Sequence, residues 1–576
     1  MKKMKKIMAL LLTAPMLISV AACGGGNSGG ETVDTDKTQL YVAYYNAGYS
    51  DRWLSAAKVR FEEMYANYSF ETGKTGVQVI MDPMQQGDVS TVINTHRAEV
   101  FFDEHFGMTK MLATGGVENI YTALSTSLGE SYGQDINGKA LPAYAGETKS
   151  VVEKMNTEES SYFLLQENGQ EVCYAVPYID TYNGTLTYNA DVFEEKGLYY
   201  GVDEDGYYLG AKKSTGEKLA PGPDGVEGTA DDGLPRTYDE FFAVCYKMQT
   251  ACDVIPFVWC GNWTTYVTEL ANSLFAANIG YTQFKEMLKG EGTIRDYIDG
   301  DVEGSYTTKE QAFTADNNFT DVYNSEGLYK AVDFLETIVA KEYCNELNVF
   351  NGTYSHELAQ GDFVLGSSYN GDAQDYGFLV DGTWWYNEAE KFIKKYEELS
   401  TESRMNRNLL YMPLPKATEA AWERSKGENV VYSDYSTAIV VKKGLSDMKK
   451  LLAETFVRFY CTDESLVEYT TIVSNPRGLT YNMTNDQYNA LSPYGKSLYG
   501  VHSKTHGYEY FQVTYARDNG NFYKNNSAVF DSFMGSLVGG TSYSNVIMAF
   551  HDKYDDGLTA EKYFKGILNV SREIKQ

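Results

Sequence analysis

The chain has 576 residues, with 79 Asp and Glu against 49 Lys and Arg, for a formal charge of −30. That length exceeds what one hydrophobic core usually serves, so at least two lobes are expected. So acidic a surface repels nucleic acid and anionic lipid, and it favours a neutral or cationic ligand over an anionic one.

Met1 to Lys6 holds four lysines, Ile7 to Ala22 is almost wholly apolar, and the run stops at Cys23. These are the charged and apolar regions of a signal peptide, residues 1–22, in order. The apolar run is shorter than the roughly 20 residues that span ~30 Å of hydrocarbon, so cleavage is expected rather than retention as an anchor. Ser19, Val20, Ala21, Ala22 and Cys23 are similar to a bacterial lipobox, which implies that the Cys23 thiol takes diacylglycerol. The protein is then held on the extracellular face of the cell membrane through that lipid alone. Loss of the four lysines takes the formal charge from −30 to −34. Residues 23–37 are Gly, Ser, Asn, Asp and Thr with hardly an apolar side chain, the composition of a flexible tether.

Leu40 to Tyr44 is a β-prone run, Trp53 to Tyr65 carries apolar residues at helical spacing, and Val77 to Met81 is β-prone again. Strands alternating with helices predict mostly parallel sheets with a ligand cleft at the strand C-terminal ends. Tyr45, Asn46 and Asp103 fall on such ends. Val172 to Asp191 reads as two extended segments around a polar middle, as a crossing between lobes would. The stretch 199–233 looks inserted and contains Asp224, Glu227, Asp231 and Asp232 interleaved with glycines. Several oxygens on such a loop could converge on Ca²⁺, although the spacing is not that of an EF-hand; the alternative is an acidic solvated turn. Thr237 precedes Asp239 and Glu240 and is placed to cap a helix. Besides Cys23 there are Cys173, Cys245, Cys252, Cys260, Cys344 and Cys461. Cys245 and Cys252 sit about 10 Å apart along one predicted helix, too far for a disulfide, and most of the six read as small buried hydrophobes.

Tyr174-Ala-Val-Pro177, Tyr188-Asn189 and Phe193-Glu-Glu-Lys-Gly197-Leu198 resemble the extracellular solute-binding proteins of carbohydrate ABC transporters, the maltose-binding-protein-like group. Leu234 to Phe241 is similar to the Pro-x-Thr-Trp-Asp-Glu-Phe helix start of that group, with Tyr238 in place of its tryptophan. Asp381-Gly-Thr-Trp-Trp385, Tyr411-Met-Pro-Leu-Pro415, Ala438-Ile-Val-Val441 and Ser474-Asn-Pro-Arg-Gly478 follow in family order. The resemblance implies an α/β, two-lobed periplasmic-binding-protein-like fold of type II, each lobe a mostly parallel sheet flanked by helices and joined by hinge crossings. On that frame the first lobe takes 38–176 and 435–474, and the second 186–412 and 475–576. It further implies a monomer that captures a carbohydrate, an oligosaccharide by preference, and delivers it to ABC permease subunits driven by a separate ATPase. No catalysis and no cofactor are implied.

Sugar rings pack C–H faces on aromatic faces, and their hydroxyls need Asp, Asn or Arg. With 48 tyrosines the chain is rich in such surfaces. Trp384 and Trp385 with Asp381, and Trp259, Asn262 and Trp263, are the leading ligand candidates. Tyr45, Asn46, Asp103, Asp180, Asp434, Tyr435 and Arg477 are candidates by loop position. There is no G-x-S-x-G elbow and no phosphate loop, and His502 lacks the glutamate that HExxH requires. Carboxylate pairs ~5 to 9.5 Å apart, as glycoside hydrolysis uses, are a property of the fold. A surface glycosidase acting on polysaccharide, and a peptide-binding or adhesive lipoprotein, therefore stand as alternative readings.

Overall fold

The computed structural model describes residues 32–45, 48–85, 88–156, 160, 162–179, 184–289, 291–314, 322–369, 374–399, 407–432, 437–502, 509–513 and 545–574. Nine strands build two central sheets: β1 (Thr38–Tyr45), β2 (Val77–Met84), β3 (Val100–Asp103), β4 (Ala175–Pro177), β5 (Thr185–Asn189), β6 (Val254–Trp259), β7 (Asp375–Asp381), β8 (Leu409–Met412) and β9 (Ala438–Val441). The first sheet runs β2-β1-β3-β9-β4 and the second β6-β7-β5-β8.

In each sheet a single strand runs against the rest, β9 in the first and β5 in the second. These are the strands on which the chain arrives from the other lobe, β5 after β4 and β9 after β8. A strand entering from the cleft must start there and run outward. The others run toward the cleft and end at it, which is why the start of β5 at Thr185 lies beside the end of β7 at Asp381. Likewise Ala438 at the start of β9 pairs with Asp103 and Pro177. The mostly parallel sheets of the expected two-lobed fold are present.

In α1 (Arg52–Met64) Trp53, Leu54, Ala57 and Phe61 face the first core, at the spacing of an amphipathic helix. In α2 (Tyr238–Lys247) the Thr237 hydroxyl accepts from the Glu240 N–H, and Asp239 and Glu240 occupy the first turn, as the sequence predicts. The long α3 (Thr265–Lys289) bends at Gly280, whose backbone leaves helical geometry with φ 77°. Two separate buried clusters result, one around Trp53, Phe102 and Tyr460, the other around Phe241, Phe378 and Trp385.

One expected boundary moves. Leu479, Tyr481 and Leu491 pack into the first core rather than the second, because Thr480 is tied to the Lys154 carbonyl by its N–H at 2.8 Å and its hydroxyl at 2.9 Å. The chain changes lobe within the helix Pro493–His502: Tyr499 enters the first core, while Tyr494, Leu498 and Val501 enter the second. Residues 475–491 thus belong with the first lobe. The insertion 199–233 lies on the second lobe through Tyr199, Tyr200, Ala211 and Ala220. The six described cysteines are free thiols, and all but Cys252 are buried. Among the described residues no helix is long and apolar enough to cross a membrane.

Candidate ligand site between the two lobes

The loop after β7 carries the central features. Adjacent residues on a helix point about 100° apart, and the two tryptophans there take different fates. Trp385, at the start of the short helix Trp385–Glu388, is fully buried in the second core. Its Nε1–H donates to Thr187 Oγ1 at 2.9 Å. Trp384 turns the other way. Its half-buried indole packs against apolar side chains of the first core although it springs from the second lobe, and Tyr266 of α3 meets it edge-on at 5.9 Å between centroids. The ring lies over Gly382, where any side chain would overlap it.

Beside Trp384 the lobes touch. Arg52 on α1 pairs with Glu390 at 3.0 Å and reaches Asn387 at 3.3 Å. Asn387 in turn donates to the Gly48 carbonyl. A side chain at Gly48 would overlap the present position of the Glu388 side chain.

Carboxyl groups converge on the same place from both sides. Asp381, 2% exposed, and the half-buried Glu388 accept from one nitrogen, Gln360 Nε2, at 3.1 and 2.9 Å. Burial and the Glu388 charge push Asp381 up to about 8. Burial raises Glu388 as well. On the first lobe Asp103 is buried and rises to about 7, the His105 N–H only partly offsetting desolvation. Burial, then the charges of Asp103 and Glu388, carry Glu104 to about 8. Burial, then the charges of Glu104 and Glu388, raise Tyr45, and burial, then Tyr469, Glu104 and Glu388, raise Tyr49. Glu104, Gln360, Glu388, Tyr49 and Tyr266 escape sequence reasoning. All but Gln360 carry a faint signal there, each lying within four residues of a predicted site residue.

A pH dependence follows from these shifts. Carboxyls raised in the fold hold protons that the unfolded chain has released above about 4, so their contribution to stability falls as pH rises from about 4 to about 8 and then levels. Asp381→Asn, which cannot ionise, should gain on the parent across that window in thermal melts. A difference that stays constant with pH would contradict the assignment.

The remaining candidates separate. Trp259 is fully buried, with Phe350 packed edge-on. Asn262 and Trp263 sit on the turn beyond β6, both exposed, Trp263 by 58%. Arg477 is not at a ligand surface: it is fully buried, Nε donates to the Tyr178 carbonyl at 2.9 Å and Nη1 to that of Tyr460 at 2.6 Å, and the guanidinium lies 4.1 Å over the Tyr460 ring. Cys23, Asn46, Asp180, Asp434 and Tyr435 lie outside the described residues.

The acidic turn of the insertion is tied down mostly from within, although the buried Asp224 Oδ2 lacks a donor among the described residues. Asp231 accepts from the Asp224 N–H at 3.1 Å and from the Thr229 hydroxyl at 2.6 Å, and Asp232 from the Gly228 N–H at 2.7 Å. Glu227 turns outward to Lys218 at 2.8 Å. Burial and the Asp231 charge lift Asp224 to about 7. Among the described residues no three acidic, His or Cys side chains gather to hold a metal ion, so the four predicted ligands do not form one shell.

Over residues 69–488 the sequence matches the family model described as bacterial extracellular solute-binding protein. Among solved structures it is similar to a chitin oligosaccharide binding protein, at 16% identity and a TM-score of 0.51, with 93% of this chain and 99% of that one covered. It is also similar to maltose-bound MalE3 of T. maritima, at 14% identity and a TM-score of 0.50, covering 93% and 100%. At such identities the likeness is one of fold. No curated protein matches the sequence.

Proposed function

The chain belongs to the bacterial extracellular solute-binding proteins, and from that premise we propose that it captures a carbohydrate in the cleft between its lobes and hands it to an ABC permease powered by a separate ATPase. One observation carries the reading: Trp384 projects from the second lobe into the first beside Tyr266 and beside acceptors from both lobes. A ring face to stack on and carboxyl oxygens to take hydroxyl donors are what a sugar needs. A ligand touching both lobes favours the closed arrangement by its differential affinity for it. The two cores of one chain complete the cleft, so the working unit is a monomer.

In this reading Cys23 carries the lipid, and residues after it tether the protein to the outer face of the membrane, where confinement raises the frequency of encounter with the permease. The protein is a binder, not an enzyme. It needs no cofactor, and a structural Ca²⁺ would rest on Asp224 and Asp231 alone. Thermal melts of the full chain across mono- and oligosaccharides, with the sugars recovered afterwards, test the reading. One sugar class should raise the midpoint and return intact. New reducing ends would make the protein a glycosidase, and stabilisation by peptides alone a peptide-binding lipoprotein.

A further inference from the structure

The cleft is more acidic than hydroxyl recognition requires. Asp103 and Glu104 reach it from the first lobe, Asp381 and Glu388 from the second, and among the described residues none of the four pairs with a lysine or arginine; the imidazole of His356 is the only basic group felt there, by Glu388. Other neighbours add no positive charge: Glu357 faces Glu388, Tyr45 and Tyr49 face Glu104 and Glu388, and Cys260, Tyr266 and Tyr494 face Asp381.

Two buried acceptors in this place lack a donor among the described residues. Asp103 Oδ2 is one, on a residue 1% exposed, and Gln360 Oε1 the other, on a residue with no exposure. The Gln360 amide cannot turn over to satisfy its oxygen, because its nitrogen already donates to both Asp381 and Glu388. Ionised carboxylates and an amide oxygen only accept, and a ligand entering the cleft can supply the missing donors. A neutral sugar would supply donors and leave the raised carboxyls holding their protons, so their desolvation stays uncompensated. An ammonium supplies three N–H donors and the counter-charge together.

We propose that the ligand presents a protonated primary amine to this cluster, so that the sugar of the functional reading, on which this inference rests, is an amino sugar with its nitrogen unacetylated. Calorimetry of the full chain near pH 7, in two buffers of different protonation enthalpy, tests it with four probes: a glucosamine oligomer, its N-acetylated counterpart, an all-hydroxyl oligomer of equal length, and a linear diamine. The glucosamine oligomer should bind at least about tenfold tighter than the other two sugars, the effect of one charge-assisted hydrogen bond. Binding should also release protons to the buffer. Glu388→Gln and, separately, Glu104→Gln should erase that preference and the proton release with a thermal midpoint no lower than that of the parent. Equal affinity for the acetylated oligomer without proton release overturns the amine and leaves the sugar reading standing. Binding of the diamine alone keeps the amine and removes the sugar. Binding of neither amine overturns the proposal.

Discussion

Arg477→Ala is expected to lower the stability of the protein by roughly 3 to 5 kcal/mol while leaving sugar affinity, measured on the fraction that folds, close to that of the parent. The buried guanidinium donates to the carbonyls of Tyr178 and Tyr460 and covers the Tyr460 ring. Its removal strands two buried acceptors at about 1 to 3 kcal/mol each, and leaves a cavity between aromatic rings. The position matters to the fold because Tyr178 directly follows β4 on the first crossing, and the backbones of Ile179 and Arg477 bridge to each other. Arg477 thus ties the start of the first crossing to residues 475–491 of the first lobe. Lysine should rescue poorly, since one ammonium does not reproduce the planar fork that reaches both carbonyls and stacks on the ring. Chemical denaturation combined with a binding titration checks the claim. A variant of parental stability that has lost its ligand would return Arg477 to the cleft.

The tryptophan pair should split along the line the geometry draws. Trp385→Ala removes a fully buried indole and its bond to Thr187, and should cost about 3 to 5 kcal/mol of stability. Trp384→Ala should cost much less stability, because the ring is half-buried at the meeting of the lobes. It should weaken sugar binding by roughly 2 kcal/mol, about thirtyfold, as loss of an aromatic anchor does. The comparison is made by melting both variants and titrating them with the same sugar. If Trp385→Ala loses affinity at parental stability, or Trp384→Ala keeps full affinity, the roles assigned here are reversed.

The frame of the fold is legible wherever local chemistry decides the structure. Continuous apolar runs announce β1, β3 and β9, the stripe on α1 declares its buried face, and Thr237 with its acidic neighbours marks the start of α2. The site is legible only in part. Asp381, Trp384, Asp103 and Tyr45 stand at strand ends, where parallel topology places a cleft. Gln360 lies inside a helix, and nothing in its neighbours predicts that its amide bridges two carboxylates. Which of two adjacent tryptophans turns inward depends on Thr187, some two hundred residues earlier. Arg477 shows the opposite error, a charged residue on a loop that the packing of Tyr178 and Tyr460 draws wholly inside. The lobe change within Pro493–His502 is hidden for the same reason, since one helix feeds two cores. Acidic spacing in the insertion suggests a cation, but the directions of its side chains are set by Lys218, Thr229 and backbone N–H groups.

The central claim is that a sugar spans the two lobes and draws them together. Small-angle scattering of the full chain, with and without the sugar that most raises its melting midpoint, tests it most directly. A smaller radius of gyration is expected on saturation, with the change lost in Trp384→Ala at the same sugar concentration. An unchanged radius at full occupancy would contradict it.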